Sequence, residues 1–184
     1  MSKLFLGIDT ETTGFRKKGS LIQEGQARVC QLAMVLVNED KKPLAKFSSL
    51  IKPDGWVISE GASKVNGLTN EMCEATGLSM KSVYELYLKW SAMADTKIAH
   101  NAAFDRGMME VEAAYFHNDN GYRARIDGWH CTMQENAHLS GGKSLENCLQ
   151  HHCGRSVGEN AHDAMVDTEA CLDVFFALRD KAAA

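Results

Sequence analysis

The segment that most constrains the fold is Leu4-Phe5-Leu6-Gly7-Ile8, which runs without a break into Asp9-Thr10-Glu11. Leu4, Leu6 and Ile8 alternate with Phe5 and Gly7, so both sides of an extended chain are uncharged, as in a central strand buried on both faces. Residues two apart in a strand share a face, which puts Asp9 and Glu11 side by side at its end. Like charges so placed push a carboxyl pKa upward unless a cation compensates. The pair therefore marks either a metal site or a solvated strand end. The apolar run is too short for a signal peptide or a membrane span, and a cytoplasmic chain with no membrane partner is expected.

Two further strands are expected over Val29 to Asn38 and Leu44 to Lys52, joined as a hairpin across the polar turn Glu39-Asp40-Lys41-Lys42-Pro43. The period then changes: Met80, Val83, Leu86, Tyr87, Trp90 and Met93 recur at threes and fours, an amphipathic helix with Ser79 as its N-cap. A short strand over Lys97 to His100 precedes a helix from Ala102 to Phe116, and Ile126 to Thr132 reads as a last strand. Ser144 opens a helix through Leu145, Leu149 and His152, with Asn147 where a full capping box would carry Glu or Gln. The final helix is expected from His162 to Arg179. A hairpin-fed sheet followed by alternating strands and helices gives an α/β fold with a mixed sheet. The 184 residues, 45% hydrophobic and without a Gly/Ser-rich or Pro-rich linker, suit one domain over 1–184.

The helices carry acids where apolar side chains belong. Ala164, Asp167, Cys171, Val174 and Leu178 advance by threes and fours, so Asp167 interrupts the apolar stripe of the last helix. Asp105 lies in the first turn of a helix whose apolar side includes Phe104, Met108 and Phe116; an acid there is also a favourable dipole partner. Asp163, Glu169 and Asp173 fall off the stripe and read as solvated. Unpaired acids are seldom buried. Four of them in three separated segments call for a shared cation, and Mg²⁺ or Mn²⁺ suits an all-carboxylate set that must also admit phosphate oxygens. Two such ions about 4 Å apart hold the attacking and leaving oxygens of a phosphodiester displacement. A net charge of −4 does not exclude a nucleic-acid partner, because four of the negative charges would be neutralised by the metal.

These residues fall in three motifs: Asp9-Thr10-Glu11-Thr12-Thr13-Gly14, His100-Asn101-Ala102-Ala103-Phe104-Asp105 and His162-Asp163-Ala164-Met165-Val166-Asp167. In type and order they resemble the DEDD (DnaQ-like) 3′-5′ exonuclease superfamily, in its histidine-bearing branch of proofreading-exonuclease and ribonuclease T type. Val65-Asn66-Gly67-Leu68-Thr69 and Ser144-Leu145-Glu146-Asn147-Cys148-Leu149 extend the likeness over nearly the whole chain. The resemblance implies a ribonuclease H-like fold, a mixed central β-sheet flanked by α-helices. By position it implies that Asp9, Glu11 and Asp167 hold one metal ion, that Asp9 also holds a second, and that Asp105 supports the second through water. His162 would be the general base, since an imidazole with an unperturbed pKa of ~6.5 can take a proton from an attacking water at neutral pH. Thr10, Thr12, Thr13, Gly14, Phe15, Asn66, Asn101 and Phe104 would meet the terminal nucleotide, with Phe15 and Phe104 able to stack on bases; core packing competes for Phe104.

The implied substrates are the 3′ ends of single-stranded DNA or RNA, and a DNA polymerase is the partner that a proofreading member would have. Asn66 stands where proofreading members carry histidine and resembles ribonuclease T, so an exoribonuclease reading stays beside the DNA reading. A catalytically silent nucleic-acid-binding module is the third. Arg16, Lys17 and Lys18 begin a long loop, Phe15 to Ala27, beside the site; they read as solvated charges or phosphate contacts. His100, His117, His130 and His138 read as structural or surface residues. The six cysteines read as free thiols, and Cys148-Leu149-Gln150-His151-His152-Cys153 lacks a partner pair for a zinc site. The end of the chain, soon after the last helix, offers no tail for tethering and suggests a free-standing enzyme or one held through its folded surface.

Overall fold

The computed structural model describes residues 2–120, 128–158 and 162–183. Its organising strand is β1 (Leu4–Thr12), which pairs antiparallel with β2 (Val29–Asn38); β2 in turn pairs antiparallel with β3 (Pro43–Leu50). On its other side β1 pairs in parallel with β4 (Thr96–Ala99), and β4 with β5 (Trp129–Cys131), giving the order β3-β2-β1-β4-β5. The hairpin and the mixed sheet are those expected. The expected strand over 126–132 is described from Gly128 onward and narrows to β5; Ile126 and Asp127 lie outside the described residues.

The helices lie on the two faces of the sheet. On one face α3 (Met80–Met93) and α4 (Ala102–His117) bury Val83, Tyr84, Tyr87, Met108 and Met109 with Leu6, Ile8, Leu32 and Met34 of the sheet. On the other, α7 (Ala164–Ala183) packs Leu172, Phe175 and Phe176 on Phe5, Val35, Val37 and Ile98. The Phe5 and Phe175 ring centroids are 5.2 Å apart, a tilted contact worth about 0.5–1.5 kcal/mol beyond area burial. Gly7 sets how near α7 can come: a Cβ there would lie 2.8 Å from Leu172 Cγ and 3.0 Å from Thr168 Cγ2. Without that glycine, α7 and the acid in its first turn would stand off from β1.

Several elements differ from the expectation. The last helix begins at Ala164, because His162 is left-handed (φ 69°) and Asp163 turns its carboxylate onto the Met165 and Val166 amides at 2.9 and 3.2 Å. Asp163 is thus a helix cap as well as a solvated acid. Two helices between β3 and α3 were not anticipated: α1 (Glu60–Asn66), capped by Ser59, and α2 (Asn70–Thr76), capped by Thr69. At seven residues each, they are too short to show an apolar period. A third unanticipated helix, the short α5 (Thr132–Glu135), takes Thr132 out of the expected strand; with the α6 (Leu145–Cys153) that Ser144 caps it completes the helices among the described residues, and all six cysteines are free thiols.

Candidate active site

Three elements bring the acids together. β1 pairs with β4 only over Phe5 to Gly7, so its last residues run on beyond the end of β4. There the chain leaves β4 through left-handed Asn101 (φ 68°) and enters α4. This places Asp105, 2% exposed, where a neighbouring strand would otherwise be: its Oδ1 accepts from the Thr10 amide at 3.0 Å and the Thr10 hydroxyl at 2.8 Å. Asp9 and Glu11 project beside it, and a β-bulge in the pairing with β2 follows at Glu11/Thr12, turning the chain out of the sheet. Across from them, the first turn of α7 presents Asp167, whose Oδ2 accepts from the His162 amide at 3.2 Å. Glu11, His162 and Asp167 each offer a ligand atom within 4.8 Å of the others.

The electrostatics of this cluster are unbalanced. Burial, and then the charges of Asp105, Asp167 and Glu11, raise the Asp9 pKa well above the usual carboxylate range. Burial, helped by Asp167, pushes Glu11 up to about 7, and Asn66 partly opposes this by hydrogen bonding. Asp105 is pushed up to about 7 by burial against the two Thr10 hydrogen bonds, and burial also raises Asp167. Among the described residues no Lys or Arg forms an ion pair with any of the four. Buried and half-buried oxygen donors that repel one another, with no Lys or Arg counter-charge among the described residues, fit a hard divalent cation.

A cavity of about 520 Å³ opens beside the acids, lined by Thr10, Glu11, Thr12, Gly14, Phe15, Val65, Asn66 and Phe104 among others. Six of the eight residues expected to meet a nucleotide line it. Thr10 does so with its hydroxyl turned away to Asp105. Phe15 is 87% exposed and stands edge-on to half-buried Phe104, ring centroids 6.3 Å apart. Asn66 reaches from the end of α1 to the Thr12 carbonyl at 3.4 Å. Thr13 and Asn101 do not line this cavity. Thr13 is buried and pairs with Arg28, and Asn101 is an exposed turn residue whose side chain does not cap α4.

Several residues have roles that the sequence reading passed over. Glu112, fully buried on α4, accepts from Arg28 Nε at 3.0 Å, Arg28 Nη2 at 2.7 Å and the Val29 amide at 2.9 Å. The signal was present: Glu112 follows Phe104 and Met108 at fours, an acid on the apolar stripe. Gln31 Oε1 accepts from the Ala164 amide at 3.4 Å, tying the start of α7 to β2. His100 is structural, as read, through bonds from its ring to Thr132 Oγ1 and the Lys143 carbonyl, both 2.9 Å. Since a carbonyl can only accept, Nε2 carries the proton and Nδ1 accepts from the threonine. Arg16 is engaged by Glu110 at 3.0 Å.

Residues 6–175 match the family described as Exonuclease, of RNase T type. The chain belongs to the exonuclease family. No curated protein sequence gives a significant match. Among solved structures, Escherichia coli exonuclease I in complex with a dT13 oligonucleotide aligns over 98% of this chain with TM-score 0.78 and 17% identity. The zinc-bound form of an exonuclease I–single-stranded DNA complex aligns at TM-score 0.78 and 18% identity, and a product-bound exonuclease I at 0.75 and 16%. These matches establish the fold shared with exonuclease I, the ribonuclease H-like DEDD arrangement. The chain spans 42, 41 and 44% of those three proteins.

Proposed function

We propose that this exonuclease-family chain is a divalent-metal-dependent enzyme that hydrolyses the terminal phosphodiester bond of single-stranded nucleic acid from the 3′ end, with DNA the favoured substrate. The observation that carries the proposal is the convergence of Asp9, Glu11, Asp105 and Asp167 with raised pKa values and, among the described residues, no Lys or Arg paired with any of them. Mg²⁺ or Mn²⁺, as a pair of ions, would be held by Asp9, Glu11 and Asp167 with support from Asp105. Such ions supply charge neutralisation on the phosphate oxygens and a more acidic water.

The chain's own residues do the rest. His162 is exposed within ligand reach of Glu11 and Asp167, where neutral imidazole can take the proton of an attacking water. Its left-handed backbone points the amide at Asp167, so one turn positions both groups. The cavity beyond Glu11 receives the terminal nucleotide, with Phe15 and Phe104 offering ring faces and edges to a base. Asn66 holds the Thr12 carbonyl and with it the cavity wall. The DNA reading draws support from the shared fold of exonuclease I bound to dT13. An exoribonuclease reading is favoured by Asn66-Gly67, which resembles ribonuclease T.

Digestion of 5′-labelled DNA and RNA strands of one sequence tests this. A ladder shortening from the 3′ end, blocked by a 3′-phosphate and faster on DNA, is expected; early internal cuts or cleavage of circular strands would refute it.

A further inference from the structure

Asp105 and Glu112 lie two turns apart on one face of α4, and each reaches across to a strand backbone. Asp105 takes the Thr10 amide of β1, and Glu112 takes the Val29 amide at the start of β2. Between those two points the chain makes the excursion from Thr13 to Arg28, and its ends are pinned together: the Thr13 amide donates to the Arg28 carbonyl at 2.9 Å, and the Arg28 amide to Thr13 Oγ1 at 3.0 Å. The Arg28 guanidinium is in turn held by both Glu112 oxygens and stacks 3.9 Å above the Tyr115 ring, whose hydroxyl donates to the Gln23 carbonyl at 3.2 Å. Arg28 and Glu112 side chains are 6% and 0% exposed.

From this geometry we infer that Glu112 and Arg28 are positioning residues for the terminal nucleotide: through the Thr13–Arg28 backbone pair they fix the height of Thr12 and Gly14, which flank Thr13 and line the nucleotide cavity. The inference rests on the proposed nuclease reading for what the wall contacts, but not for the brace itself. A buried ion pair is a poor source of stability, because desolvation of both charges offsets their attraction, and apolar isosteres often replace such a pair at no loss. What apolar side chains cannot supply is directional hold: three hydrogen bonds converging on one carboxylate orient Arg28 and Val29 in a way that packing alone does not. Neither residue touches the acids of the site, so the brace acts on substrate placement and leaves the metal ligands as they are.

Two variants separate positioning from folding. Glu112→Gln keeps the shape but turns an amide N–H toward Arg28, and the double variant Arg28→Met/Glu112→Leu replaces the pair with apolar side chains of similar size. For a short single-stranded DNA with a free 3′ hydroxyl, both are expected to raise KM about 10-fold with kcat within about 3-fold of the parent, as small misplacements of a substrate contact do. Amide hydrogen exchange at Thr13, measured on metal-free protein, should be at least about 10-fold faster in both, because its hydrogen bond to Arg28 is no longer held. The double variant should regain the parental melting temperature while keeping the raised KM. If KM recovers along with the melting temperature, or if Thr13 exchange stays at the parental rate, the brace is structural only and the inference fails. If the parent cleaves no 3′ ends, the functional reading falls instead, and Thr13 exchange alone still decides whether the brace exists.

Discussion

Asp105 and Glu112 share one helix, one face and near-complete burial, yet they are satisfied in opposite ways. Glu112 has its counter-charge built in, with Arg28 at 2.7 Å and the Val29 amide completing its acceptors. Asp105 has neutral donors, the amide and hydroxyl of Thr10 and its own amide, and sits beside three further carboxylates, with its pKa pushed up to about 7. A buried acid paired from within holds a fold together, whereas one whose partner must come from solution marks a place where something binds.

The contrast breaks most sharply at the acids. Asp9→Asn, Glu11→Gln or Asp167→Asn should each abolish strand degradation while the protein stays folded, since removing one of several repelling charges costs the apo fold nothing. Near-normal turnover by any of the three with Mg²⁺, in a gel assay of labelled strand, would end the metal-site account. His162→Gln should keep strand binding and cut turnover by roughly 10² to 10⁴, the usual range for a lost general base. Single-turnover rates across pH should also lose the unit-slope rise that a neutral imidazole imposes. A His162 variant with the parental rate and pH profile would remove the residue from the chemistry.

On the structural side, Glu112→Ala leaves a buried arginine unpaired and should destabilise the protein by about 3–5 kcal/mol in urea denaturation, opposite in sign to neutralising Asp9. The two kinds of acid also differ in pH response. Glu11 and Asp105, with folded pKa values near 7 against 4.5 and 3.8 unfolded, bind more protons in the folded state between those limits. The stability that these two groups contribute in chelator is therefore fully present below about pH 4 and is lost as pH rises through 7. Thermal melts at pH 5 and pH 8 in chelator should show the loss, and Asp9→Asn should shrink it; a melting temperature that rises with pH over this range would contradict the assignment. The smallest effect belongs to His100→Gln, which should cost about 1 kcal/mol of stability through its two hydrogen bonds and change turnover by less than about 3-fold.

The same contrast explains what could be read from the chain and what could not. Asp9, Glu11, Asp105 and Asp167 were visible because each breaks a local apolar period, and β1, β2, α3 and α4 because their periods are long. Glu112 breaks the α4 stripe just as clearly, but its meaning depends on Arg28, 84 residues away in the chain, and only the fold supplies that partner. Likewise the expected helix starts two residues before α7, because the left-handed turn at His162 depends on Asp163 capping the helix and Asp167 accepting the His162 amide. Thr10 is expected to meet a nucleotide by the motif resemblance alone; it does line the cavity, but that its hydroxyl is taken by Asp105 is visible only in the fold.

The central claim, that four acids lack a partner which a divalent cation supplies, is tested most directly by titrating Mn²⁺ into the metal-free protein in a calorimeter at pH 6.5, in two buffers of different ionisation enthalpy. Saturable binding of two ions per chain is predicted, with proton release revealed by the buffer difference because carboxyls with pKa values near 7 must give up protons to bind metal. Both should be weakened or lost in Asp9→Asn and unchanged in Arg28→Met/Glu112→Leu. No saturable binding, or binding that survives in Asp9→Asn without proton release, would contradict the account.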